Sequence, residues 1–176
     1  MEEKNLMPMT IEEFNDLSQD NTRTYELIDG ELVMQSRPNW THQYTMTNTA
    51  GEIRNYLKGK NCKVFTEVEL EINKNVIVPD ISVVCNLNNT NFQRTQQPPV
   101  LVIEILNPSN SMNEINNKII KYKNHGIKEC WIIDSDIKSV EVKNLIDNTG
   151  ITYILSGSVK SNVFPDMKIE TSDIFD

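Results

Sequence analysis

Two apolar segments, each interrupted by one carboxylate, decide the fold: VIVPDISVVC at residues 76–85 and PVLVIEIL at residues 99–106. Near-continuous apolar runs are typical of central strands that are covered on both faces of a sheet. Asp80 follows Pro79, which has no N–H to donate to a sheet ladder, so we expect the first strand to be bent there. Glu104 lies within the second run, where an ionised carboxylate costs many kcal/mol unless a partner neutralises it. These two acids are the first candidates for a functional site.

The flanking sequence predicts three helices. Thr10 and Ser111 each precede a glutamate by three residues, which is the spacing of a capping box at the start of a helix. Apolar side chains at helical spacing predict another helix over residues 41–57, which ends before Gly59. In the helix that begins after Ser111, Lys118 lies at the margin of the apolar stripe, so we expect it on the side that faces the sheet.

The remaining segments predict further strands. The dipeptide Asp29-Gly30 between two apolar runs predicts a tight hairpin turn, and alternation over residues 64–72 predicts one half-exposed strand. Another buried strand, ECWIID, is followed by alternating ones, while residues 86–99 are predicted to form a surface loop. The order of elements predicts an α/β (α+β) fold with a mixed sheet flanked by helices, in a single domain that spans residues 1–176.

The charge balance is acidic. The 176 residues include 25 acidic and 17 basic side chains, for a net charge of −8. This is the wrong sign for a protein that holds nucleic acid through a general basic surface, so any phosphate contacts must be local. The candidates for such contacts are Arg94, Lys118, Lys121, Lys123 and Lys128. The sequence contains no long apolar span and begins with acidic residues, which predicts a cytoplasmic protein that is neither exported nor inserted in a membrane.

The three cysteines, Cys62, Cys85 and Cys130, are odd in number and widely spaced. We predict that they are reduced and buried as small apolar side chains. With two histidines in the whole chain and no CxxC pair, a structural zinc site is disfavoured. Any metal ion is therefore expected to be a hard one, held by oxygen ligands.

Asp80 and Glu104 together predict a Mg²⁺ or Mn²⁺ site, because carboxylates that meet near strand ends suit ions that prefer oxygen ligands. Such an ion polarises a phosphodiester and lowers the pKa of its bound water. A structural alternative stays open for each acid. Glu104 would then lie at the rim of the sheet or pair with a single basic side chain, and Asp80 would cap a turn.

Four other polar residues are candidates for the site or its surroundings. Glu26, within YELIDGELV, is a candidate if it points inward, and Lys118 is a candidate unless its stem merely covers apolar surface while its ammonium reaches water. His42 is interpreted as a structural residue of a first helical turn. Glu114 is explained by its place in a capping box and is not needed for catalysis.

Several segments in a fixed order carry a family resemblance, over roughly residues 9–145: MTIEEF, YELIDGELV, a Thr-His pair that opens a helix, VPDISVV, LVIEILNPSNS and KIIKYKNHGIKECWIID. Through them the chain resembles the Uma-type family of restriction endonucleases, a bacterial group within the PD-(D/E)XK nuclease superfamily. The resemblance implies a restriction-endonuclease-like mixed β-sheet core and metal-dependent hydrolysis of DNA phosphodiester bonds.

The resemblance also implies roles for individual residues. Asp80 and Glu104 match the metal-binding acids, Glu26 matches an acid that often joins the site, and Lys118 matches the helical lysine of the family. The chain departs from the general superfamily motif at Leu106, where a lysine is expected two residues after the glutamate. Lys118 would have to replace that lysine.

The leading hypothesis is a Mg²⁺-dependent DNA endonuclease in which Asp80 and Glu104 bind metal, Glu26 supports that ion or a second one, and Lys118 stabilises the attacking hydroxide or the phosphate. A homodimer is plausible because cutting two strands requires two sites. The alternative is a catalytically idle protein of the same fold that acts as an interaction or DNA-associated accessory module, which the acidic charge favours. A small-ligand binding module has little support, since the sequence lacks a Gly-rich phosphate loop.

Overall fold

The computed structural model describes residues 8–17, 24–35, 38–87, 94–107, 111–154 and 157–176. Within these ranges the helices are α1 (Ile11–Leu17), α2 (Trp40–Tyr56), α3 (Met112–Asn124) and α4 (Thr171–Phe175). None of these helices is long and apolar enough to cross a bilayer. The strands are β1 (Tyr25–Ile28), β2 (Glu31–Met34), β3 (Cys62–Thr66), β4 (Glu69–Ile72), β5 (Asn75–Ile77), β6 (Ile81–Cys85), β7 (Arg94–Thr95), β8 (Leu101–Ile105), β9 (Glu129–Asp134), β10 (Ser139–Asn144), β11 (Thr149–Ile154), β12 (Ser158–Lys160) and β13 (Lys168–Glu170).

The largest sheet has six strands in the order β11-β10-β9-β8-β6-β3. β8 and β9 run parallel, and the other neighbouring pairs are antiparallel. α3 connects the two parallel strands, because parallel neighbours need a crossover connection. All residues of β8 are buried, which confirms the prediction that this apolar run is covered on both faces.

A second sheet has the strand order β2-β1-β5-β4-β7, and β12 pairs with β13 in a separate two-stranded sheet. β1 and β2 form the predicted hairpin, in which Asp29 and Gly30 both have positive φ values (55° and 82°), as a type I′ turn requires. A Cβ atom on Gly30 would lie 2.2 Å from the Cβ of Pro8, so this position has no room for a side chain. Together the sheets and helices confirm the predicted α/β (α+β) class.

Two long predicted strands are each divided between the two large sheets. Residues 64–72 do not form one strand: they contain the end of β3 and the whole of β4, since Glu67 has a φ of 51° and interrupts the extended backbone. The prediction of one continuous strand is therefore wrong. Residues 76–85 likewise contribute to β5 and β6, and the break falls at Pro79 and Asp80, where a bend was expected. The chain thus passes between the two large sheets twice, from β3 to β4 and from β5 to β6, and both passages lie close to Asp80.

α2 and α3 pack in different apolar cores. Ile53 of α2 lies in one core with Ile103, whereas Tyr122 of α3 lies in the other with Val102. Because successive side chains of a strand point to opposite faces, Glu104 lies on the same face of β8 as Val102. Apolar residues of β4 and β5 complete this second core. Glu104 therefore faces a space that is bounded by α3 and the second sheet.

Both predicted capping boxes are present. The N–H of Thr10 donates to Oε2 of Glu13 at 2.8 Å, and the N–H of Glu13 donates to Oγ1 of Thr10 at 3.2 Å. Ser111 and Glu114 make the same reciprocal pair at 2.9 and 3.2 Å. Glu114 is thus a structural residue, as predicted. Its cap fixes the start of α3, and hence the side of the helix on which Lys118 lies.

The cysteine prediction is wrong for two of the three residues. Cys62 and Cys85 form a disulfide between β3 and β6, in which they are direct register partners. Antiparallel pairing brings the two side chains together, and this proximity cannot be recognised from a sequence separation of 23. Cys130 is free and buried, as predicted.

Candidate active site

The bend between β5 and β6 brings Asp80 to the strand that carries Glu104. Asp80 directly precedes Ile81, which pairs with Ile103 of β8. Oδ2 of Asp80 accepts a hydrogen bond at 2.6 Å from the N–H of Ile105, the residue that follows Glu104. Asp80, just before the start of β6, and Glu104, near the end of β8, therefore lie at the same edge of the sheet, because these two neighbouring strands are antiparallel.

Glu104 is a buried carboxylate with two donors on α3. The Tyr122 hydroxyl donates a hydrogen bond to its Oε1, and Nζ of Lys118 lies 3.4 Å from its Oε2. Burial, together with the charges of Asp80 and Glu26, raises the pKa of Glu104 to about 7 despite the opposing effects of the Lys118 charge and the Tyr122 hydrogen bond. Glu104 thus ionises near neutral pH instead of in the usual acidic range of a glutamate.

Lys118 lies between two carboxylates. Its Nζ is 2.8 Å from Oε1 of Glu26 and 3.4 Å from Oε2 of Glu104. Burial on its own would lower the pKa of Lys118, but the charges of Glu104 and Glu26 outweigh it and hold the pKa above its usual value. Lys118 is therefore a permanent cation and hydrogen-bond donor at neutral pH. Because the side chain is buried, the alternative in which its ammonium reaches water does not apply.

Glu26 points inward from β1 and is buried. Its Oε1 accepts a hydrogen bond at 2.8 Å from the N–H of Val78 and also contacts Lys118. Val78 belongs to the irregular segment that precedes Asp80. Glu26 therefore holds the backbone on which Asp80 is placed, in addition to its charge interaction with Lys118.

His42 contacts Asp80, and this contact was not predicted from the sequence. Its Nε2 lies 3.3 Å from Oδ1 of Asp80, and its backbone N–H donates at 2.8 Å to the side chain of Asn39, the N-cap of α2. Burial disfavours the charged imidazole, but the hydrogen bond and charge of Asp80, with smaller contributions from Glu67 and Ile105, raise the pKa of His42. Its Nδ1 is buried, and no hydrogen-bond partner for it lies in the described ranges. His42 is a first-turn residue, as interpreted, but it also orients Asp80.

The three carboxylates differ in their access to solvent. The side chain of Asp80 is 18% exposed, whereas those of Glu26 and Glu104 are 3% and 5% exposed. Asp80 therefore marks the opening of the cluster. A phosphate group that approaches from solvent would meet Asp80 before the other two acids.

The chemistry of these donors suits a hard cation. Asp80, Glu104 and Glu26 offer carboxylate oxygens, which are the ligands that Mg²⁺ and Mn²⁺ prefer. In the described parts of the chain, no group of three or more His, Cys, Asp or Glu side chains is arranged to hold a metal ion. Mg²⁺ is commonly bound by one or two protein carboxylates together with water and substrate phosphates. The donor set of Asp80 and Glu104 fits that mode of binding.

Four of the five basic side chains expected to contact phosphate are engaged within the chain. Lys118 belongs to the carboxylate cluster, and Nζ of Lys123 donates a hydrogen bond at 2.6 Å to Oδ1 of Asn148. Arg94 pairs with Glu69 at 2.7 Å, and Lys121 pairs with Asp29 at 2.6 Å. Lys128 is exposed. The contacts of Arg94 and Lys121 attach β7 and the β1–β2 turn to their neighbours. A phosphate-binding role for these side chains stays a prediction.

A third buried carboxylate, Glu129, is not among the residues that the sequence pattern indicates. Glu129 is the first residue of β9 and is completely buried. It accepts hydrogen bonds from Nε1 of Trp131 at 2.7 Å, from the N–H of Val163 at 3.2 Å and from the N–H of Asn162. All three donors are neutral. Glu129 therefore anchors the turn after β12 to the largest sheet.

The sequence is similar to known proteins over most of its length. Residues 11–167 match the Uma2 family, which is described as "Putative restriction endonuclease". An uncharacterized protein of Synechocystis sp. is 22% identical over 134 residues, which cover 74% of this chain and 70% of that protein. The crystal structure of a "putative nuclease belonging to DUF820" from Anabaena variabilis has a TM-score of 0.85 at 22% identity, over 96% of this chain and 98% of the other. These matches confirm the predicted family resemblance and the restriction-endonuclease-like fold.

Proposed function

This chain belongs to the Uma2 family, and we propose from that premise that it is a Mg²⁺- or Mn²⁺-dependent endonuclease that hydrolyses DNA phosphodiester bonds. The observation that carries the proposal is the buried cluster in which Lys118 interacts with Glu26, Glu104 and Asp80. Apolar side chains of similar volume are often at least as stable as such a buried ionic cluster. A catalytic role therefore accounts for the cluster better than a contribution to stability does.

In the proposed mechanism Asp80 and Glu104 would hold the divalent ion, and Glu26 would support that ion or a second one. When bound, the ion supplies positive charge that polarises the scissile phosphodiester and acidifies the attacking water. Asp80 is held through both oxygens, by the N–H of Ile105 and by His42. These contacts orient Asp80 before substrate arrives, which lowers the cost of assembling the site.

Lys118 has a different task. Its protonated ammonium is already placed beside two carboxylates, so it can donate hydrogen bonds to negative charge that develops on the attacking hydroxide or on the pentavalent phosphate. A lysine with a raised pKa is a poor proton acceptor at neutral pH. The attacking water must therefore lose its proton to another group or to solvent.

A second candidate function is an idle nuclease fold that acts as an interaction or DNA-associated accessory module. Two observations favour it. Lys118 and Tyr122 already satisfy the Glu104 carboxylate without a metal ion, and the net charge of −8 opposes DNA binding. The two candidates make opposite predictions for metal-dependent cleavage of DNA.

The test is calorimetric titration of the protein with Mg²⁺ and with Mn²⁺, followed by incubation with supercoiled and with single-stranded DNA. We expect the wild type to bind metal and nick DNA, and Asp80→Asn to lose both properties. Asp147→Asn is the matched control, because Asp147 lies in the β10–β11 turn and its Oδ1, which accepts from Thr149, is retained by Asn.

Absence of metal binding and of cleavage in the wild type would favour the accessory module. Metal binding without cleavage of either DNA would leave a metal site but reject the endonuclease. A homodimer stays a prediction as well, and light scattering at the concentrations used for cleavage checks it. The cytoplasmic location and the single domain also remain predictions.

A further inference from the structure

The Cys62–Cys85 disulfide lies at an open edge of the largest sheet. β3, which carries Cys62, is the last strand at one end of the six-stranded order, so it has a neighbouring strand on one side only. Both cysteines are partly exposed, whereas the free Cys130 is completely buried. The disulfide is therefore the part of the cysteine chemistry of this protein that a small solute can approach from solvent.

The chain around Cys62 has the opposite charge to the protein as a whole. Residues 53–66 contain no acidic side chain, in a protein with a net charge of −8. They contain four exposed basic residues, which we call the basic segment: Arg54, Lys58, Lys60 and Lys63. In the described parts of the chain, none of these four side chains forms an ion pair.

The basic segment is concentrated next to Cys62. Lys63 directly follows Cys62 and Lys60 precedes it by two residues, so their Cα atoms lie within about 8 Å of that of Cys62. Arg54 and Lys58 lie at the end of α2, where basic residues also complement the helix dipole. Lys60 and Lys63 lie beyond this helix, and the helix dipole does not account for them.

This setting is typical of reactive cysteines. Positive charge stabilises the thiolate, which is the form of a cysteine that attacks a disulfide and the form that leaves from one. The setting of Cys130 is the opposite. Burial, together with the charge of Glu104, raises the pKa of Cys130 well above its usual value despite the charge of Lys143. The chain thus contains an inert thiol as an internal reference for the pair.

The two cysteines are held opposite each other by bonds that do not involve sulfur. The N–H of Asn86 donates at 2.8 Å to the carbonyl of Asn61, and Nδ2 of Asn61 donates at 2.8 Å to Oδ1 of Asn86. On the other side of the pair the antiparallel register between β3 and β6 continues, with Lys63 opposite Val84. Reduction therefore leaves the two thiols close together, and such proximity favours re-formation of the disulfide.

We propose that Cys62 and Cys85 form a reversible thiol–disulfide exchange site for an anionic thiol of low molecular weight, which the basic segment attracts. The charge of the segment selects the class of reagent, because a carboxylate-bearing thiol is drawn to it and a cationic thiol is repelled. The inference does not depend on the proposed endonuclease activity.

The exchange balances in two steps. The thiolate of the small thiol attacks one protein sulfur, the S–S bond breaks, and the other cysteine leaves as a thiolate. A second small thiolate then attacks the mixed disulfide, which releases the remaining cysteine and forms the disulfide of the small thiol. Two small thiols thus supply the two electrons and two protons that convert the protein disulfide to two thiols. Oxidation of the pair is the reverse sequence.

The first experiment compares three thiols of different charge on the folded, oxidised protein: reduced glutathione (anionic), 2-mercaptoethanol (neutral) and 2-mercaptoethylamine (cationic). Mass spectrometry after acid quenching follows the reduction, and each rate is divided by the rate of the same thiol with hydroxyethyl disulfide. We expect the normalised rate of glutathione to exceed that of 2-mercaptoethylamine by about 10-fold at low ionic strength. The ratio should approach one in about 1 M salt, which screens the charges.

The second experiment removes part of the basic segment. Lys60→Gln/Lys63→Gln should slow the reaction with glutathione by about 5-fold at low ionic strength and change that with 2-mercaptoethanol by less than about 2-fold. Lys74→Gln/Lys123→Gln is the matched control. It removes the same charge from two exposed lysines, one in the β4–β5 turn and one in α3, and should react as the wild type does. All variants should have the wild-type unfolding midpoint.

The third experiment tests the internal reference and the reversibility. In the reduced, folded protein iodoacetamide should modify Cys62 and Cys85, and it should modify Cys130 only after denaturation. Glutathione disulfide should re-form the Cys62–Cys85 bond.

Three results would overturn the inference. A disulfide that glutathione reduces only in denaturant would be a structural cross-link and not an exchange site. Equal normalised rates for the three thiols, or equal effects of the two pairs of lysine substitutions, would show that the basic segment does not select an anionic thiol. Reduced cysteines that react no faster than Cys130, or that glutathione disulfide does not reoxidise, would show that the pair is not reversible.

Discussion

Glu104 and Glu129 are both buried glutamates on neighbouring parallel strands, yet they are held in opposite ways. Glu129 accepts hydrogen bonds from one indole and two backbone N–H groups, all neutral. Glu104 faces the charges of Lys118, Asp80 and Glu26 and the hydroxyl of Tyr122. Burial of a carboxylate therefore does not by itself mark a functional site. The identity of its partners does.

The difference lies in whether the partners can move. Two of the donors to Glu129 belong to the backbone, so releasing that carboxylate would require the turn after β12 to leave the sheet. Lys118 reaches Glu104 through a long side chain and lies 3.4 Å away, so a cation could take its place near the carboxylate without a change in the fold. Glu129 is therefore fixed by its backbone partners, whereas we expect the cation beside Glu104 to be exchangeable. Four substitutions can break or sharpen this contrast.

The largest effect is expected for Glu104→Gln, which keeps the shape of the side chain and removes its charge. We expect Mg²⁺-dependent cleavage to slow by about 10³-fold, because charge stabilisation by a bound cation is worth several kcal/mol. Stability should change little, since the Tyr122 hydroxyl still finds an oxygen acceptor. Initial rates of plasmid nicking and the unfolding midpoint give both quantities. Near wild-type cleavage by Glu104→Gln would show that catalysis does not require the Glu104 carboxylate.

The next effect is expected for Lys118→Met in the absence of metal. Removing the cation leaves Glu26 and Glu104 buried without a counter-charge, which should lower the free energy of unfolding by about 3 kcal/mol. Saturating Mn²⁺ should restore part of that loss, since binding to the folded state stabilises it. Urea unfolding in EDTA and in Mn²⁺ measures both, with exposed Lys128→Met as the control. If Mn²⁺ did not reduce this loss of unfolding free energy, a metal ion would not replace Lys118 as the counter-charge of Glu104.

A smaller effect is expected for Glu129→Gln. The amide has one oxygen for three buried donors, so we expect the free energy of unfolding to fall by about 2 kcal/mol, and the midpoint to fall by about 4–8 °C for a chain of this size. Cleavage per folded molecule should equal that of the wild type. Differential scanning calorimetry and nicking at a low temperature separate the two effects. Loss of cleavage at an unchanged midpoint would show that the contrast with Glu104 is wrong.

The smallest effect is expected for Asp29→Asn, an exposed reference for the buried pairs. The hydrogen bond from Lys121 keeps the pKa of Asp29 below its usual value, against slight burial. The carboxylate therefore stabilises the fold above pH 3.8, and this contribution is lost as the pH falls through the lowered folded-state pKa. Solvent screening limits it to about 0.5 kcal/mol. Urea unfolding at neutral and at acidic pH should show a small difference that disappears in acid.

Local signals predicted much of the fold because they act within a few residues. The capping boxes at Thr10 and Ser111 and the Asp29-Gly30 turn all appear where the sequence places them. The strand over residues 64–72 failed for a different reason. Its alternation continues across Glu67, whose positive φ turns the chain into another sheet, and a glutamate carries no local preference for that conformation.

The site was predictable where a polar residue interrupts an apolar run. Asp80 and Glu104 are predicted from that pattern. His42 is not, because its partner Asp80 is 38 positions away in the sequence and contacts it only through the packing of α2 at the strand ends. Glu129 begins a strand, where a charged residue is ordinary. Its donors come from a turn more than 30 residues later. The role of a residue cannot be predicted from local sequence when it depends on partners that are distant in the sequence.

The disulfide has a topological consequence for the proposed active-site acids. The chain between Cys62 and Cys85 forms a covalent ring that contains β4, β5 and Asp80. In the chain-entropy account, closing a ring with a sequence separation of 23 disfavours the unfolded state by ~3 kcal/mol. Both passages between the two large sheets lie inside this ring. In the oxidised protein Asp80 therefore stays tethered on both sides when the contacts between the sheets open, and the redox state of two sulfur atoms limits how far it can drift from Glu104.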